Sequence, residues 1–139
     1  MARKRYQPST ISGYGQGKTI LVVDDEAVIR DLLKRTLLRE GFEVLTASDG
    51  EEGLERLANN NINIVITDIM MPQMDGKELL RRVNKEYPHV PVIFITGQAS
   101  KAERKHSGKP GSEIYIVKPF KNQDIRFALQ LTMLKLQKL

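Results

Sequence analysis

The stretch Thr19–Ala47, TILVVDDEAVIRDLLKRTLLREGFEVLTA, decides the fold class. It opens on a four-residue apolar block, ILVV (20–23), too short for a helix and rich in β-branched residues, so it reads as a buried strand. Three acids follow, and then Val28, Ile29, Leu32, Leu33 and Leu37 recur at helical spacing. Gly41 after Glu40 supplies a helix stop, and EVLTA (43–47) reads as a second strand. Strand, helix and strand in under thirty residues make a βα unit, the building block of a parallel sheet. Further strand candidates are INIVIT (62–67), PVIFIT (91–96) and EIYIV (113–117). Ser48 with Glu51, and Asp75 with Glu78, form capping-box patterns for two more helices. The first carries Leu54 and Leu57, the second Leu79, Leu80 and Val83. A last helix begins near Asn122 and runs through Ile125, Leu129 and Met133. The outline is α/β, a (βα)5 doubly wound sheet.

The chain of 139 residues, 40% hydrophobic, suits one domain. Residues 1–18 read as a flexible basic arm and 19–139 as the folded domain. No apolar run reaches the length of a membrane span, and no apolar segment follows the charged N-terminus as a secretory signal requires. The absence of Cys excludes a disulfide framework, a thiolate nucleophile and a cysteine-bound zinc site, and fits a cytoplasmic location. The net charge of +5 is unevenly spread. Residues 1–19 hold four basic groups and no acid, residues 20–98 nine basic and fourteen acidic, and residues 99–139 nine basic and three acidic. An acidic centre between basic flanks, without aromatic or groove-entering motifs, argues against nucleic-acid binding. The GYGQGKT segment fails as a phosphate-binding loop, because Ser12 stands where the pattern needs Gly and no strand precedes it. His89 and His106 lack partner ligands and read as surface residues.

In open parallel sheets ligands bind beyond the carboxyl ends of the strands. Strand one there delivers Asp24, Asp25 and Glu26, strand three Asp68, strand four Thr96, and strand five Lys118 and Pro119. Converging carboxylates repel one another unless a hard, oxygen-preferring cation such as Mg²⁺ neutralises them. A lysine and a hydroxyl at the same rim suit an anion beside that metal. Metal, anion and carboxylate together indicate phosphoryl chemistry. Taken singly, Asp25 could cap the first helix and Asp24 could be a solvated loop acid; the company of Asp68 and Lys118 points to a site instead.

DDE after strand one, ITDIMMPQMDG around Asp68, FITG at strand four and VKPF after strand five resemble the receiver domain of two-component response regulators, over about residues 19–136. The resemblance implies a flavodoxin-like sheet of order 2-1-3-4-5. It implies that Asp68 accepts a phosphoryl group from a phosphohistidine on a sensor histidine kinase or histidine phosphotransfer protein. It places Mg²⁺ on the Asp25 and Asp68 side chains and the Met70 backbone carbonyl, with Asp24 acting mainly through water. Lys118 would pair with the phosphoryl oxygens, Thr96 would move onto them after transfer, and Tyr115 would be the aromatic switch. In this family the bond corresponding to Lys118–Pro119 is usually cis. Met70 and Gln98 would flank the hydrolytic water. Such a domain is a phosphoacceptor regulator that assists its own phosphorylation and dephosphorylation, not an enzyme acting on other substrates. The alternative is a receiver-shaped interaction module that acts without phosphorylation.

Two features depart from a minimal receiver. After Ala99 the chain reads SKAERKHSGKPGS (100–112), with no large apolar residue, so the helix between strands four and five, within 99–111, is expected to be short or irregular. The last helix carries a second apolar row, Phe127, Leu131 and Leu134, which is either a wider buried stripe or a face for a homodimer mate or partner helix.

Overall fold

A computed structural model describes residues 15–97 and 114–137. The elements run β1 (Thr19–Val23), α1 (Ala27–Arg39), β2 (Glu43–Ala47), α2 (Gly50–Asn59), β3 (Ile64–Asp68), α3 (Gly76–Glu86), β4 (Val92–Thr96), β5 (Ile114–Val117) and α4 (Asn122–Gln137). The five strands form one parallel sheet in the order β2-β1-β3-β4-β5. This is the doubly wound, flavodoxin-like arrangement expected. The helix expected within 99–111 lies outside the described residues, as do Gln98, His106 and residues 1–14.

Side chains alternate across a strand, so each central strand serves two cores. Leu21, Val23, Val65 and Phe94 face Leu57 of α2 and Leu79 and Val83 of α3. Ile20, Val22, Ile64, Ile66, Ile93 and Ile95 face Leu33 and Leu37 of α1 and Ile125 and Leu129 of α4. Burial on both faces explains why β1, β3 and β4 read as continuous apolar runs instead of alternating patterns. The next residue after β1, and the last residue of β3 and of β4, then stand at one edge of the sheet.

Four expectations shift. In α1 only Leu33, Thr36 and Leu37 are buried, whereas Val28 is 77% and Leu32 36% exposed. The apolar residues of this helix form two rows, and a sheet covers one of them. The cap of α2 falls one residue later than Ser48: Asp49 accepts the Glu52 N–H at 2.8 Å, and Glu52 reaches back to the Ser48 N–H at 2.7 Å. In α3 the Asp75 cap stands where expected, accepting the Glu78 N–H at 2.9 Å. Glu78, however, turns to Arg81 and Arg82 and closes no box. Of the residues assigned to the arm, 15–18 form a turn: Gly15 is buried and its carbonyl accepts the Lys18 N–H at 3.1 Å. A Cβ at Gly15 would lie 2.7 Å from the Glu40 carbonyl and 2.9 Å from the Phe42 ring, so glycine lets this turn seat on the α1–β2 corner.

In α4, Ile125, Leu129 and Thr132 are buried and Met133 and Leu136 partly so, while Phe127 is 63%, Leu131 37% and Leu134 55% exposed. The second row is therefore not a wider buried stripe. Among the described residues no helix is long and apolar enough to cross a membrane.

Candidate functional site at the carboxyl edge of the sheet

Three carboxylates meet where β1 and β3 end. One oxygen from each of Asp24, Asp25 and Asp68 lies within 4.8 Å of the others. Asp24 and Asp68 are buried, being the first residue beyond β1 and the last of β3, while Asp25 is exposed on the turn into α1. The turn is held from two sides. The Glu26 N–H donates to Asp24 Oδ1 at 2.8 Å, and the Arg30 guanidinium, one turn into α1, donates to the Asp24 carbonyl at 2.6 Å. Glu26, not Asp25, is the first residue before α1, and its side chain makes no cap hydrogen bond. The capping role that Asp25 could have had is thus not its role.

Lys118 enters from the end of β5. Its backbone N–H donates to the Thr96 carbonyl at 2.8 Å, and the Lys118–Pro119 bond is cis. Its ammonium stands 3.7 Å from Asp68 Oδ2, 3.7 Å from Glu26 Oε1 and 4.0 Å from Asp24 Oδ2. Those are Coulombic contacts beyond hydrogen-bond length. Thr96 is buried at the tip of β4. Tyr115, half-buried on β5, is in register with Phe94, their ring centroids 5.3 Å apart at 41°. It lies two residues before Val117, the register partner of Thr96. Met70 is 75% exposed, and its N–H points to Asp68 Oδ1 at 3.4 Å.

The electrostatics of the edge are unbalanced. Burial, aided by the charge on Asp68, pushes the Asp24 carboxyl up to about 6, against the opposing pull of the Glu26 N–H and Lys118. Burial likewise raises Asp68, opposed chiefly by Lys118. Among the described residues Asp24 Oδ2 is the buried side-chain oxygen left without a hydrogen-bond partner. Oxygen donors only, crowded and under-neutralised, with one buried oxygen unsatisfied, fit a small hard cation.

The loop from β3 to α3 folds back tightly. The Gly76 N–H donates to the Ile69 carbonyl at 2.8 Å, and a Cβ on Gly76 would fall 2.4 Å from the Asp68 carbonyl. Gln73 takes a left-handed conformation, φ 70°, in the same loop. The sequence placed Asp24, Asp25 and Glu26 at this rim together with Asp68, Thr96 and Lys118. It gave no role to Glu26, Arg30 or Gly76. A basic residue one turn into the helix after an acidic pair was the available signal for Arg30.

A family model described as the response regulator receiver domain matches residues 20–130. The chain belongs to this receiver family. Transcriptional regulatory protein SrrA of Staphylococcus aureus is 39% identical over 106 residues, covering 76% of this chain and 44% of that protein. The chain therefore spans less than half the length of the curated relatives it matches. A CheY-like response regulator receiver domain protein of Methanospirillum hungatei superposes with a TM-score of 0.78 at 36% identity, over 87% of this chain and 97% of that one. Response regulator protein TrrA of Thermotoga maritima, solved in complex with Mg²⁺ and BeF, superposes at 0.69 with 37% identity, over 86% and 98%. Receivers serve two-component signalling as phosphoacceptor switches, and that general role comes with membership.

Proposed function

We propose that this receiver is a phosphorylation-controlled switch in which Asp68 takes a phosphoryl group, in a Mg²⁺-dependent reaction, from a phosphohistidine of a sensor histidine kinase or phosphotransfer protein. The carrying observation is the convergence of the Asp24, Asp25 and Asp68 oxygens within 4.8 Å, with the Lys118 ammonium 3.7 Å from Asp68. Mg²⁺, held by Asp24, Asp25, Asp68 and the Met70 carbonyl, supplies charge neutralisation when bound. An Asp68 oxygen attacks phosphorus as the donor's P–N bond breaks, and that electron pair leaves on the imidazole nitrogen. A carboxylate is already deprotonated at neutral pH, so no general base is needed. Lys118 pairs with the phosphoryl oxygens that Asp68 gains. Thr96 then turns its hydroxyl to the same oxygens, and Tyr115, beside Phe94, responds as the switch residue.

Incubation with acetyl phosphate and Mg²⁺, followed by acid-stable gel separation and peptide mapping, tests this proposal. Label on Asp68 that disappears with chelator supports it; no label overturns it. We further propose the cytoplasm as the place of action.

A second reading, an interaction module that works without phosphorylation, draws on the exposed row Phe127, Leu131 and Leu134 of α4. Next to it a depression of about 400 Å³ is lined by Gln123, Asp124, Arg126, Phe127 and Gln130. In either reading this row is the proposed face for a second copy or a partner helix.

A further inference from the structure

We propose that Glu26 tunes the choice of phosphoryl donor by acting as a resident counter-charge on Lys118, an inference that rests on Asp68 being the phosphoacceptor. Of the three carboxylates around the Lys118 ammonium, Asp24 and Asp68 belong to the cluster that a divalent cation neutralises. Glu26 lies outside that cluster. Its oxygen is nonetheless as close to Lys118 as that of Asp68, 3.7 Å in both cases.

Among the described residues the Glu26 carboxylate has no partner other than Lys118; its backbone N–H holds Asp24. It occupies the cap position of α1, where shorter Ser, Thr, Asp or Asn side chains serve best, and its carboxylate makes no cap hydrogen bond. The side chain is 61% exposed, against 1% for Asp24 and 8% for Asp68, so it stands at the solvent side of the site. With a divalent cation bound, the three cluster carboxylates still exceed it by one charge, and Glu26 adds a further negative charge on the solvent side, facing Lys118. An arriving anionic donor meets that charge twice, as direct repulsion and as a competitor for the ammonium. Both effects grow with the negative charge of the donor. Glu26 is therefore a brake that bears harder on dianionic acyl phosphates than on monoanionic phosphoramidates. It is a specificity-determining residue and takes no part in bond making.

The test compares the wild type with Glu26→Gln, which keeps length and removes charge, using acetyl phosphate and phosphoramidate in turn with Mg²⁺. An exposed ion pair of this kind corresponds to about a two- to fivefold change in rate constant. That gain is expected for acetyl phosphate at low salt, with a smaller one for phosphoramidate. Both should fade near 1 M salt, where screening acts within about 3 Å. A gain equal for the two donors and insensitive to salt would mean that the substitution merely loosens the turn, and would overturn the inference. So would no gain, or a loss. Absence of label in both variants would overturn the phosphoacceptor reading itself, whereas label that ignores the substitution removes the role of Glu26 alone.

Discussion

Two buried carboxylates, Glu40 at the end of α1 and Asp24 just beyond β1, show how differently one chain can treat the same chemical group. Glu40 is 7% exposed and meets the Arg126 guanidinium of α4, with Oε2 3.1 Å from one nitrogen and 3.3 Å from another. Beside it the Thr36 hydroxyl lies 3.2 Å from Asn122 Oδ1, so α1 and α4 are joined twice. Asp24, 1% exposed, has one oxygen bonded to a backbone N–H and the other without a hydrogen bond, with an ammonium no nearer than 4.0 Å. At Glu40 the fold satisfies its own charge. At the sheet edge it leaves charge unsatisfied, which costs stability and prepares a place for a cation and an anion.

The contrast breaks outright if the edge is merely structural. Asp68→Asn is expected to abolish labelling from acetyl phosphate while far-UV circular dichroism stays native, since the amide removes the nucleophile and its charge. Labelling of this variant at the wild-type rate would refute the assignment. Next in size is the lifetime of the phosphoryl group. Exposed Met70 offers no group that orients a hydrolytic water, so loss of label from purified protein is expected over minutes to hours. Decay within seconds would show water activation from elsewhere.

Stability measurements sharpen the comparison, because the two carboxylates should respond with opposite sign. In chelator at neutral pH, Asp24→Asn is expected to stabilise the domain against urea by about 1–3 kcal/mol. Glu40→Gln should destabilise it by about 1–3 kcal/mol, by stranding Arg126. The pH dependence follows from the raised Asp24 value. The folded state holds a proton on Asp24 up to about 6, whereas the unfolded chain releases it near 3.8. Folding is therefore favoured at low pH by this group, and its contribution is lost as pH rises from about 4 through 6. Metal-free wild type should lose stability across that window, and Asp24→Asn should flatten the loss. Equal slopes for the two proteins would place the unsatisfied charge elsewhere.

The smallest effect is expected at α4. Phe127→Ser with Leu131→Ser should weaken self-association or partner binding in sedimentation experiments and leave the melting temperature within a few degrees, because both residues lie outside the core. Unchanged association would make the row inert.

What could be read in advance followed from periodicity. Strands buried on both faces announce themselves as apolar runs, and the rule that sites lie beyond strand ends then picks out Asp24, Asp68, Thr96 and Lys118 without any knowledge of side-chain contacts. The errors have local causes. Ser48 and Asp49 are both competent caps, each with a glutamate three residues on, and only the backbone path chooses Asp49. Val28 and Leu32 look like core because α1 has two apolar rows, and which row meets the sheet depends on helix rotation. The Glu26–Lys118 contact spans the sequence and depends on two long side chains, so no spacing encodes it.

Gly76 has a consequence for anyone who would move this acid site to another scaffold. The first residue of α3 rests so closely on the Asp68 carbonyl that a single methyl group would collide with it. Grafting the aspartates, the threonine and the lysine would transplant the chemistry without its linkage. A host with any side chain at the position of Gly76 would hold α3 away from the acceptor strand and open a gap where the two are here in close contact. The smallest portable unit is therefore the acid set together with one hydrogen atom in place of a side chain.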